Sequence, residues 1–574
     1  MKTNQVVTPT KPLRQFLSQD LEIDSWIKIE PFFKELKNRK INSTIELEKW
    51  LTDRSELEAA LSEDFAWRYI KMTCDTSNQI LTDAYNFFVS EIDPHIAPYS
   101  NELNIKFVQS PFLKELDNTT YQIYIRGIKK ALALYREENI PLQTKIATES
   151  QKYGAITAEM TITWEGKEIT LQMASSLMKD TNRKIREEVY HKIQKRRSLD
   201  TKTLNDLFSE LIQLRHQVAV NAGFKNYRDY KFDELGRFDY TVKDCFHFHE
   251  SIAKEILPLA EVSDQDRKNK LQLDALKPCD TDVDVEGKAP LKPFSSATEL
   301  TEKSIACFTK VRPAYGAYLE IMKRMGYLDL DSRIGKAPGG YNYPLYEIGV
   351  PFIFMNSVGT HRDLVTMVHE GGHAIHSFVT RDLLLTDFKS TPSEVAELAS
   401  MSMELISMEH WEVFFKNADD LKRAKKEQLD KSLKTLLWIA AVDKFQHWVY
   451  ENPTHTVEER MENWKNTIDQ FTSKVVDYTG LDDVRARGWQ SQLHIFEVPF
   501  YYIEYGMAQL GAIALWRNYK LDPEKALDQY EAALRLGYMK SIPEIYKTAG
   551  IEFNFSQAYV KELADFVKSE LEKI

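Results

Sequence analysis

The sequence predicts a mainly α-helical protein of two lobes, and three observations support this. Gly (21) and Pro (20) are sparse among 574 residues, a composition typical of helical proteins. Apolar residues recur at helical spacing along much of the chain, and short polar breaks separate these stretches. A chain of this length can bury several hydrophobic cores, so two large lobes are expected rather than one.

The first lobe is predicted to span residues 1–180 and the second to span residues 181–574. From residue 24 to residue 149 the sequence repeats amphipathic helical spacing, and polar breaks such as Asn42-Ser43-Thr44 offer helix N-caps. No motif in this region carries obvious chemistry. We therefore expect it to form a helical scaffold or one wall of a cleft.

A change of period between residues 158 and 173 predicts a β-hairpin. Met160, Ile162 and Trp164 alternate with polar residues, and Glu165-Gly166-Lys167 supplies the turn. Helical spacing then returns. The histidines that follow, including His249, lack an i+4 partner and are expected to be structural.

The middle of the chain predicts one helix, a glycine loop and a short strand. The helix is expected near Thr298–Met325, and the loop contains Gly339 and Gly340, which permit positive φ or close approach to a ligand. The strand covers residues 350–356, and its early proline suggests a sheet edge that could bind an extended peptide. A buried core strand is equally consistent with the same residues.

The sequence is organised around His369-Glu370-Gly371-Gly372-His373, which has the HExxH pattern. On a helix, residues i and i+4 share one face, so two imidazoles can bind one Zn²⁺ at about 2.0–2.1 Å. Glu370 then lies beside the metal's open position, where it can take a proton from water. A purely structural helix would have little reason to carry two glycines, each costing about 0.8–1.0 kcal/mol relative to Ala.

The third metal ligand is predicted to be Glu397. Catalytic zinc usually takes three protein ligands, and a glutamate on a following helix is a common source. Thr391 and Glu394 are expected to form a capping box at the start of that helix, which gives Glu394 a structural role. Glu404 is either a hydrogen-bond partner of a ligand histidine or a solvated acid. His376 is on the wrong face to be a ligand and is expected to support the site.

The net charge and the cysteines limit the binding partners and the location expected for this protein. The net charge of −11 argues against a nucleic-acid or anionic-membrane surface. The four cysteines form no CxxC pair and are expected to be reduced thiols of a cytoplasmic protein. We expect no secretory signal and no membrane-spanning segment, because no apolar run is long enough.

The motifs resemble the oligoendopeptidase F branch of the thimet oligopeptidase family of zinc metallopeptidases. The resemblance rests on five segments of the chain: HEGGHAIH (369–376), VAELAS (395–400), APGGY (337–341), PFIFMN (351–356) and HIFEVPFYYIEY (494–505). It implies a two-lobed helical gluzincin with a deep central channel, a small β-sheet near the active site and one zinc ion. Its expected partners are short unfolded peptides, with no nucleic acid and no membrane.

The resemblance also implies that His494 and tyrosines after it donate hydrogen bonds to the substrate and to the tetrahedral intermediate. Tyr501 and Tyr505 share a helix face, and a phenol that stays protonated at neutral pH can donate to an oxyanion. Ile503 stands where relatives often have a tyrosine, so the choice among the tyrosines stays open. The expected substrate contacts are Gly339, Gly340, Tyr341, Phe354, Asn356 and Tyr502.

The sequence thus predicts a zinc-dependent endopeptidase for short peptides, with Glu370 as general base. A carboxypeptidase or dipeptidyl-carboxypeptidase on the same scaffold is an alternative. From a different class, an inactive peptide-binding homologue is a second alternative, although the intact Glu370 argues against it. Oligomeric state and peptide specificity have no signal in the sequence.

Overall fold

The computed structural model describes residues 8–333, 335–337 and 339–574. Within these residues the chain is predominantly helical with two small sheets, as its composition predicts. Pro338 of the glycine loop lies outside the described residues. Among the described residues, no helix combines the length and apolarity that crossing a membrane requires.

The described helices vary from one turn to the 34 residues of α18. The first twelve are α1 (Trp26–Asn38), α2 (Thr44–Cys74), α3 (Gln79–Phe87), α4 (Asp93–Val108), α5 (Asn118–Leu134), α6 (Asn139–Ala158), α7 (Leu171–Ser176), α8 (Arg183–Leu199), α9 (Thr201–Asn221), α10 (Tyr227–Glu234), α11 (Val242–Glu255) and α12 (Leu257–Lys270). The others are α13 (Ala297–Val311), α14 (Pro313–Met325), α15 (His361–Thr380), α16 (Thr386–Lys389), α17 (Ser393–Ser407), α18 (Ala418–Glu451), α19 (Val457–Ile468), α20 (Asp482–Ala486), α21 (Leu493–Glu497), α22 (Tyr502–Leu521), α23 (Pro523–Arg535), α24 (Ile542–Thr548) and α25 (Gln557–Leu571). The strands are β1 (Thr161–Trp164), β2 (Lys167–Thr170), β3 (Leu328–Asp331), β4 (Tyr341–Tyr343) and β5 (Phe352–Ser357).

The chain folds into two compact units, each assembled from three segments. Unit 1 comprises Met1–Ala133, Lys292–Lys422 and Gly511–Phe553. Unit 2 comprises Leu134–Leu291, Arg423–Leu510 and Asn554–Ile574. The segments of the two units interleave along the sequence. The division into lobes of residues 1–180 and 181–574 stays a prediction.

The N-terminal helices of unit 1 pack around a core of large apolar side chains. The second helix begins at Ser43, whose hydroxyl accepts a hydrogen bond from the Glu46 amide, as the polar break predicts. Trp50 is fully buried, and its indole N–H donates to the Leu36 carbonyl oxygen at 2.8 Å. These contacts join α1 and α2 in the scaffold.

The predicted β-hairpin is present in unit 2. Strands β1 and β2 pair antiparallel, with Thr161 opposite Thr170 and Trp164 opposite Lys167. Glu165 and Gly166 both have positive φ, which a tight two-residue turn requires.

In the middle of the chain, one prediction is wrong and one pair of alternatives is resolved in favour of the buried core strand. The single helix expected near Thr298–Met325 is two helices, α13 and α14, because Arg312 takes an extended conformation before Pro313. The strand at residues 352–357 is not an edge. The sheet order is β3-β5-β4, so β5 is the central strand. Pro351 precedes the first paired residue, so its missing N–H removes no hydrogen bond from the ladder.

Candidate metal centre

The HExxH residues lie in the middle of α15 in unit 1. A capping box begins this helix, with the Thr360 hydroxyl accepting from the Asp363 amide and the Asp363 carboxylate accepting from the Thr360 amide. His369 and His373 lie one turn apart with ring centroids 5.0 Å from each other. Their side chains keep 19% and 20% exposure, so a small ion can reach both.

The Glu397 side chain, on α17, reaches the two imidazoles. Its Oε2 lies 3.3 Å from Nε2 of His369 and 3.7 Å from Nε2 of His373. Three ligands held at about 2.0–2.1 Å around a tetrahedral metal have their atoms about 3.3 Å apart. The two distances therefore fit a single ion between the three side chains.

The start of α17 differs from the prediction. The helix begins at Ser393, and Pro392 occupies the cap position, where it provides no side-chain hydrogen bond. The expected Thr391–Glu394 capping box is therefore not formed. Glu394 is buried at 2% exposure, and its carbonyl oxygen accepts a hydrogen bond from the Tyr546 hydroxyl at 2.9 Å.

The two glycines of the motif allow close packing around α15. A Cβ on Gly372 would lie 2.6 Å from the Ala399 carbonyl oxygen and from Cα of Ser400. A Cβ on Gly371 would lie 2.5 Å from the ring of Phe308 on α13. The two glycines thus allow neighbouring helices to pack closely against α15. This packing brings α17 near enough for Glu397 to reach the imidazoles.

Two further side chains orient the candidate ligands. Glu404 Oε1 lies 2.7 Å from Nδ1 of His369, which leaves Nε2 of the same ring directed toward Glu397. The Ser400 hydroxyl donates to Glu397 Oε2 at 2.9 Å. Of the two readings of Glu404, the geometry supports hydrogen bonding to a ligand histidine. Ser400 was not identified from the sequence, although its i+3 spacing from Glu397 is compatible with this contact.

The ionisable side chains of the centre shift one another's pKa values. Burial opposes ionisation of Glu397, but the nearby imidazoles outweigh it and lower its pKa to about 2. Burial also favours neutral histidine, yet the carboxylates of Glu397 and Glu404 raise the pKa of His369 well above its usual value. For His373, burial is the main influence and lowers the pKa to about 4. The centre therefore contains a carboxylate and a neutral imidazole, and its carboxylates attract a cation.

Glu370 is buried more deeply than His369 and His373 are. Its residue exposure is 6%, and burial raises the pKa of its carboxyl to about 7. Its backbone carbonyl accepts a hydrogen bond from Asn342 Nδ2 at 3.2 Å, which links α15 to β4. His376 is also buried, and burial lowers its pKa to about 3. The sequence analysis did not identify Asn342.

The glycine loop and the central strand support each other. Asn356 Nδ2 donates to the carbonyl oxygens of Ala337 and Gly339, at 2.8 and 3.0 Å. Tyr341 stacks on Phe354 with ring centroids 4.8 Å apart, and Phe354 has 0% exposure. Phe354 and Asn356 were both expected to contact substrate. The Phe354 side chain is instead buried against Tyr341, and the Asn356 side chain is hydrogen-bonded to the glycine loop. Direct contact of these two side chains with substrate stays a prediction, and this packing disfavours it.

Lys336 links β3 to β5 through hydrogen bonds. Its ammonium donates to the carbonyl oxygens of Asp329, Asp331 and Met355 and to the Asp329 carboxylate, and its side chain has 0% exposure. Burial opposes ionisation of Asp329, but hydrogen bonds from Arg333 and Lys336 outweigh it and hold its pKa well below the usual range.

The other predicted catalytic residues form a cluster in unit 2. The His494 ring has its centroid 5.9 Å from that of Tyr501, 4.8 Å from that of Tyr502 and 5.9 Å from that of Tyr505. All four side chains are partly exposed, whereas Ile503 is buried. Helix α22 begins at Tyr502, so Tyr501 stands immediately before it. The structure thus brings these four residues together, and their role in the reaction stays a prediction.

Comparisons with known proteins find similar sequences and structures along most of the chain. The family model described as Peptidase family M3 matches residues 176–565, and the Peptidase M3 N-terminal domain matches residues 16–135. An oligoendopeptidase F homolog of Borreliella burgdorferi is 22% identical over 596 residues, covering 100% of this chain and 94% of that protein. Oligopeptidase PepF of Bacillus subtilis is 24% identical, covering 61% of this chain and 55% of its own length. The solved structure of PZ peptidase A with an inhibitor matches with a TM-score of 0.90 and 25% identity, covering 98% of this chain and 99% of that one.

Proposed function

The chain belongs to peptidase family M3, and we propose that it is a zinc-dependent oligoendopeptidase that cuts within short peptides. The observation that carries this proposal is the convergence of His369, His373 and Glu397 on one point. Two imidazole nitrogens and one carboxylate oxygen are a ligand set found in catalytic zinc sites. The fourth position is left for water or substrate.

The ligand set favours zinc over harder cations. Mg²⁺ and Ca²⁺ prefer oxygen ligands, whereas imidazole suits zinc. Zinc bound here would act as a Lewis acid and lower the pKa of a water molecule toward neutrality. Glu404, by accepting from Nδ1 of His369, would keep Nε2 of that ring available as the ligand atom.

Glu370 is the proposed general base. It follows a ligand histidine directly and lies in the same helical turn. Its carboxylate would take the proton of the attacking water and give it to the leaving amine. The hydrogen bond from Asn342 to its backbone would hold this turn of α15 against β4.

The proposed oxyanion donors are His494, Tyr501 and Tyr505, with Tyr502 as an additional donor to substrate. A phenol is protonated at neutral pH, and a donor aimed at a developing oxyanion is typically worth about 10²–10³ in kcat. Because β4 rather than β5 is an outer strand of the sheet, we propose β4 and the Gly339–Gly340 loop as the place where the peptide backbone pairs. Tyr341 belongs to this strand.

We expect the cytoplasm as the location, because the four cysteines are mostly buried and none forms a disulfide within the described residues. Short peptides are the expected partners there. Zinc dependence and endopeptidase action are tested together by one experiment. The purified chain is incubated with a peptide library in two forms, with amidated and with free C-termini, with and without a chelator, and products are read by mass spectrometry.

Internal cleavage that disappears with chelator and returns with Zn²⁺ is the expected result. Release of only one or two C-terminal residues from free-acid peptides, with amidated peptides intact, would instead identify a carboxypeptidase or dipeptidyl-carboxypeptidase. Peptide binding without any cleavage, in zinc-loaded protein, would identify an inactive homologue. Cleavage that persists in metal-free protein would refute the zinc-dependent proposal.

A further inference from the structure

A second group of metal-ligating side chains lies in unit 2. Cys245 and His249 are four residues apart on α11, and Asp443 and His447 are four residues apart on α18. Each pair therefore shares one helix face, with the spacing that His369 and His373 have on α15. Cys245 and Asp443 have 0% exposure, and the two histidines have 1%.

Three of these four side chains converge on one point. One ligand atom from each of Cys245, Asp443 and His447 lies within 4.8 Å of the other two. Nε2 of His249 lies 2.8 Å from Oδ2 of Asp443, and Nε2 of His447 lies 3.1 Å from the same oxygen. Two helices that are distant in sequence thus place a thiol, an imidazole and a carboxylate around one small volume, and His249 is hydrogen-bonded to the carboxylate.

The cluster has unused ligand capacity although it is buried. In the described part of the chain, Oδ1 of Asp443 and Nδ1 of both histidines have no hydrogen-bond partner. The ion pairs of Asp443 in that part of the chain are with these two imidazoles alone. A buried carboxylate is costly unless it is paired or binds a metal, and buried polar atoms are rarely left unpaired.

Aromatic rings surround the cluster. The ring of His447 lies 4.9 Å from that of Phe246, 5.8 Å from that of Phe232 and 5.3 Å from that of Phe500, measured between centroids. Such a shell excludes water from an ion held inside it. A closed site of this kind serves structure rather than catalysis, because catalytic sites keep a position open for water or substrate.

We propose that Cys245, Asp443 and His447 bind a second divalent ion of the zinc class in a buried structural site, with His249 holding the Asp443 carboxylate in place. Thiolate and imidazole ligands select zinc over magnesium or calcium. Binding would release the thiol proton of Cys245 to solvent, because the thiolate is the ligand. This ion is additional to the one at His369, His373 and Glu397.

The site would fix a segment that carries proposed oxyanion donors. Next to His447, the side-chain oxygen of Gln446 accepts a hydrogen bond from the Phe500 amide at 2.8 Å. Phe500 has φ of +68°, a left-handed conformation that is costly for a bulky residue. An ion that holds α11 to α18 would steady this contact, and with it the position of Tyr501, the next residue.

The test exploits the thiol, because the centre at His369 has no sulfur ligand. The full-length chain is loaded with Co²⁺ in place of its native metal, and its near-ultraviolet spectrum is recorded for a thiolate-to-cobalt charge-transfer band. We expect the band in the wild-type chain and in the His369→Ala/His373→Ala variant. We expect its loss in Cys245→Ser and its retention in the matched control Cys307→Ser, which changes another buried helical cysteine.

Zinc content gives a second, independent reading. The His369→Ala/His373→Ala variant should retain about one zinc per chain, and adding Cys245→Ser should reduce that to near zero and lower Tm. The absence of the cobalt band in folded wild-type protein would overturn the proposal and leave a metal-free His–Asp–His network. A band that survives Cys245→Ser, or a metal-free His369→Ala/His373→Ala variant, would overturn it as well. If Cys245→Ser does not fold, Cys245→Ala replaces it, and the wild-type spectrum still decides.

Discussion

The backbone of Gly372 lies against that of Ala399 so closely that a Cβ at position 372 would stand 2.6 Å from the Ala399 carbonyl oxygen. This contact sets the separation of α15 and α17, the two helices that carry the candidate metal ligands. The Glu397 carboxylate reaches the two imidazoles only because the helices are this close.

Gly372→Ala should therefore weaken metal binding as well as stability. The added methyl group must push α17 away, since the atoms it meets are backbone atoms, and overpacking of this kind costs about 1–3 kcal/mol. Denaturant unfolding and zinc affinity by chelator competition measure the two effects. The control is Gly127→Ala in α5, where nothing lies within 4 Å of the new Cβ. Unchanged zinc affinity in Gly372→Ala would contradict the proposed geometry.

Glu370→Gln should keep zinc and lose most turnover. The amide cannot accept the proton of the attacking water, and general acid–base groups contribute about 10²–10⁴-fold. The measurement is kcat on an internally quenched peptide, together with zinc content by mass spectrometry. A variant that contains full zinc and has near-normal kcat would remove Glu370 from the role of base.

Glu404→Gln should lower zinc affinity by about 10–100-fold, because a ligand histidine loses the anion that orients its ring. His369 Nδ1 lies 2.7 Å from the carboxylate that this substitution neutralises. The matched control is Glu412→Gln, which removes a half-exposed carboxylate paired with Lys310. Equal zinc affinities in the two variants would show that Glu404 does not support the metal.

Single Tyr→Phe substitutions at Tyr501, Tyr502 and Tyr505 should separate the oxyanion donor from its neighbours. Loss of the donor should lower kcat by about 10²–10³ while KM changes little, because the hydrogen bond forms in the transition state. Loss of a substrate-binding hydroxyl should raise KM instead. Three variants with normal kcat would refute the proposed role of this tyrosine cluster.

Asp329 should make the stability of unit 1 depend on pH. Its pKa is held below the usual range by Arg333 and Lys336, so the folded state binds fewer protons than the unfolded state in acid. Its contribution is therefore present above about pH 4, the unfolded pKa, and is lost as pH falls toward the folded pKa.

Asp329→Asn should cost about 1.5–3 kcal/mol at pH 7, the usual value of hydrogen bonds to a charged group, and less in acid. Urea unfolding at pH 7 and pH 3 measures this difference. Asp331→Asn, in the same strand but exposed, should change neither value. An Asp329→Asn penalty that is equal at both pH values would contradict the assigned cause.

The sequence predicted those features that depend on local spacing. Helical composition, the β-hairpin at Glu165-Gly166 and the shared face of His369 and His373 all follow from neighbouring residues. Membership of the oligoendopeptidase F branch is likewise confirmed by the comparisons. Glu397 was predicted as the glutamate on the helix that follows the motif, and the structure places it beside the imidazoles.

Features that depend on distant packing were not predictable. The central position of β5 follows from pairing with β3 and β4 on both sides, which Pro351 does not reveal. The pairing of His249 with Asp443 joins residues 194 positions apart. His249 was expected to be structural because no partner follows it at i+4, but Cys245 precedes it by four residues. Nothing in the sequence indicated that the helix of Cys245 and His249 meets that of Asp443 and His447.

Anomalous diffraction at the zinc edge, from crystals of the full-length chain, shows whether zinc binds between the three side chains. We expect a peak at about 2.0–2.1 Å from Nε2 of His369, Nε2 of His373 and Oε2 of Glu397. Crystals grown with zinc that show these three side chains ordered and no anomalous peak between them would contradict it.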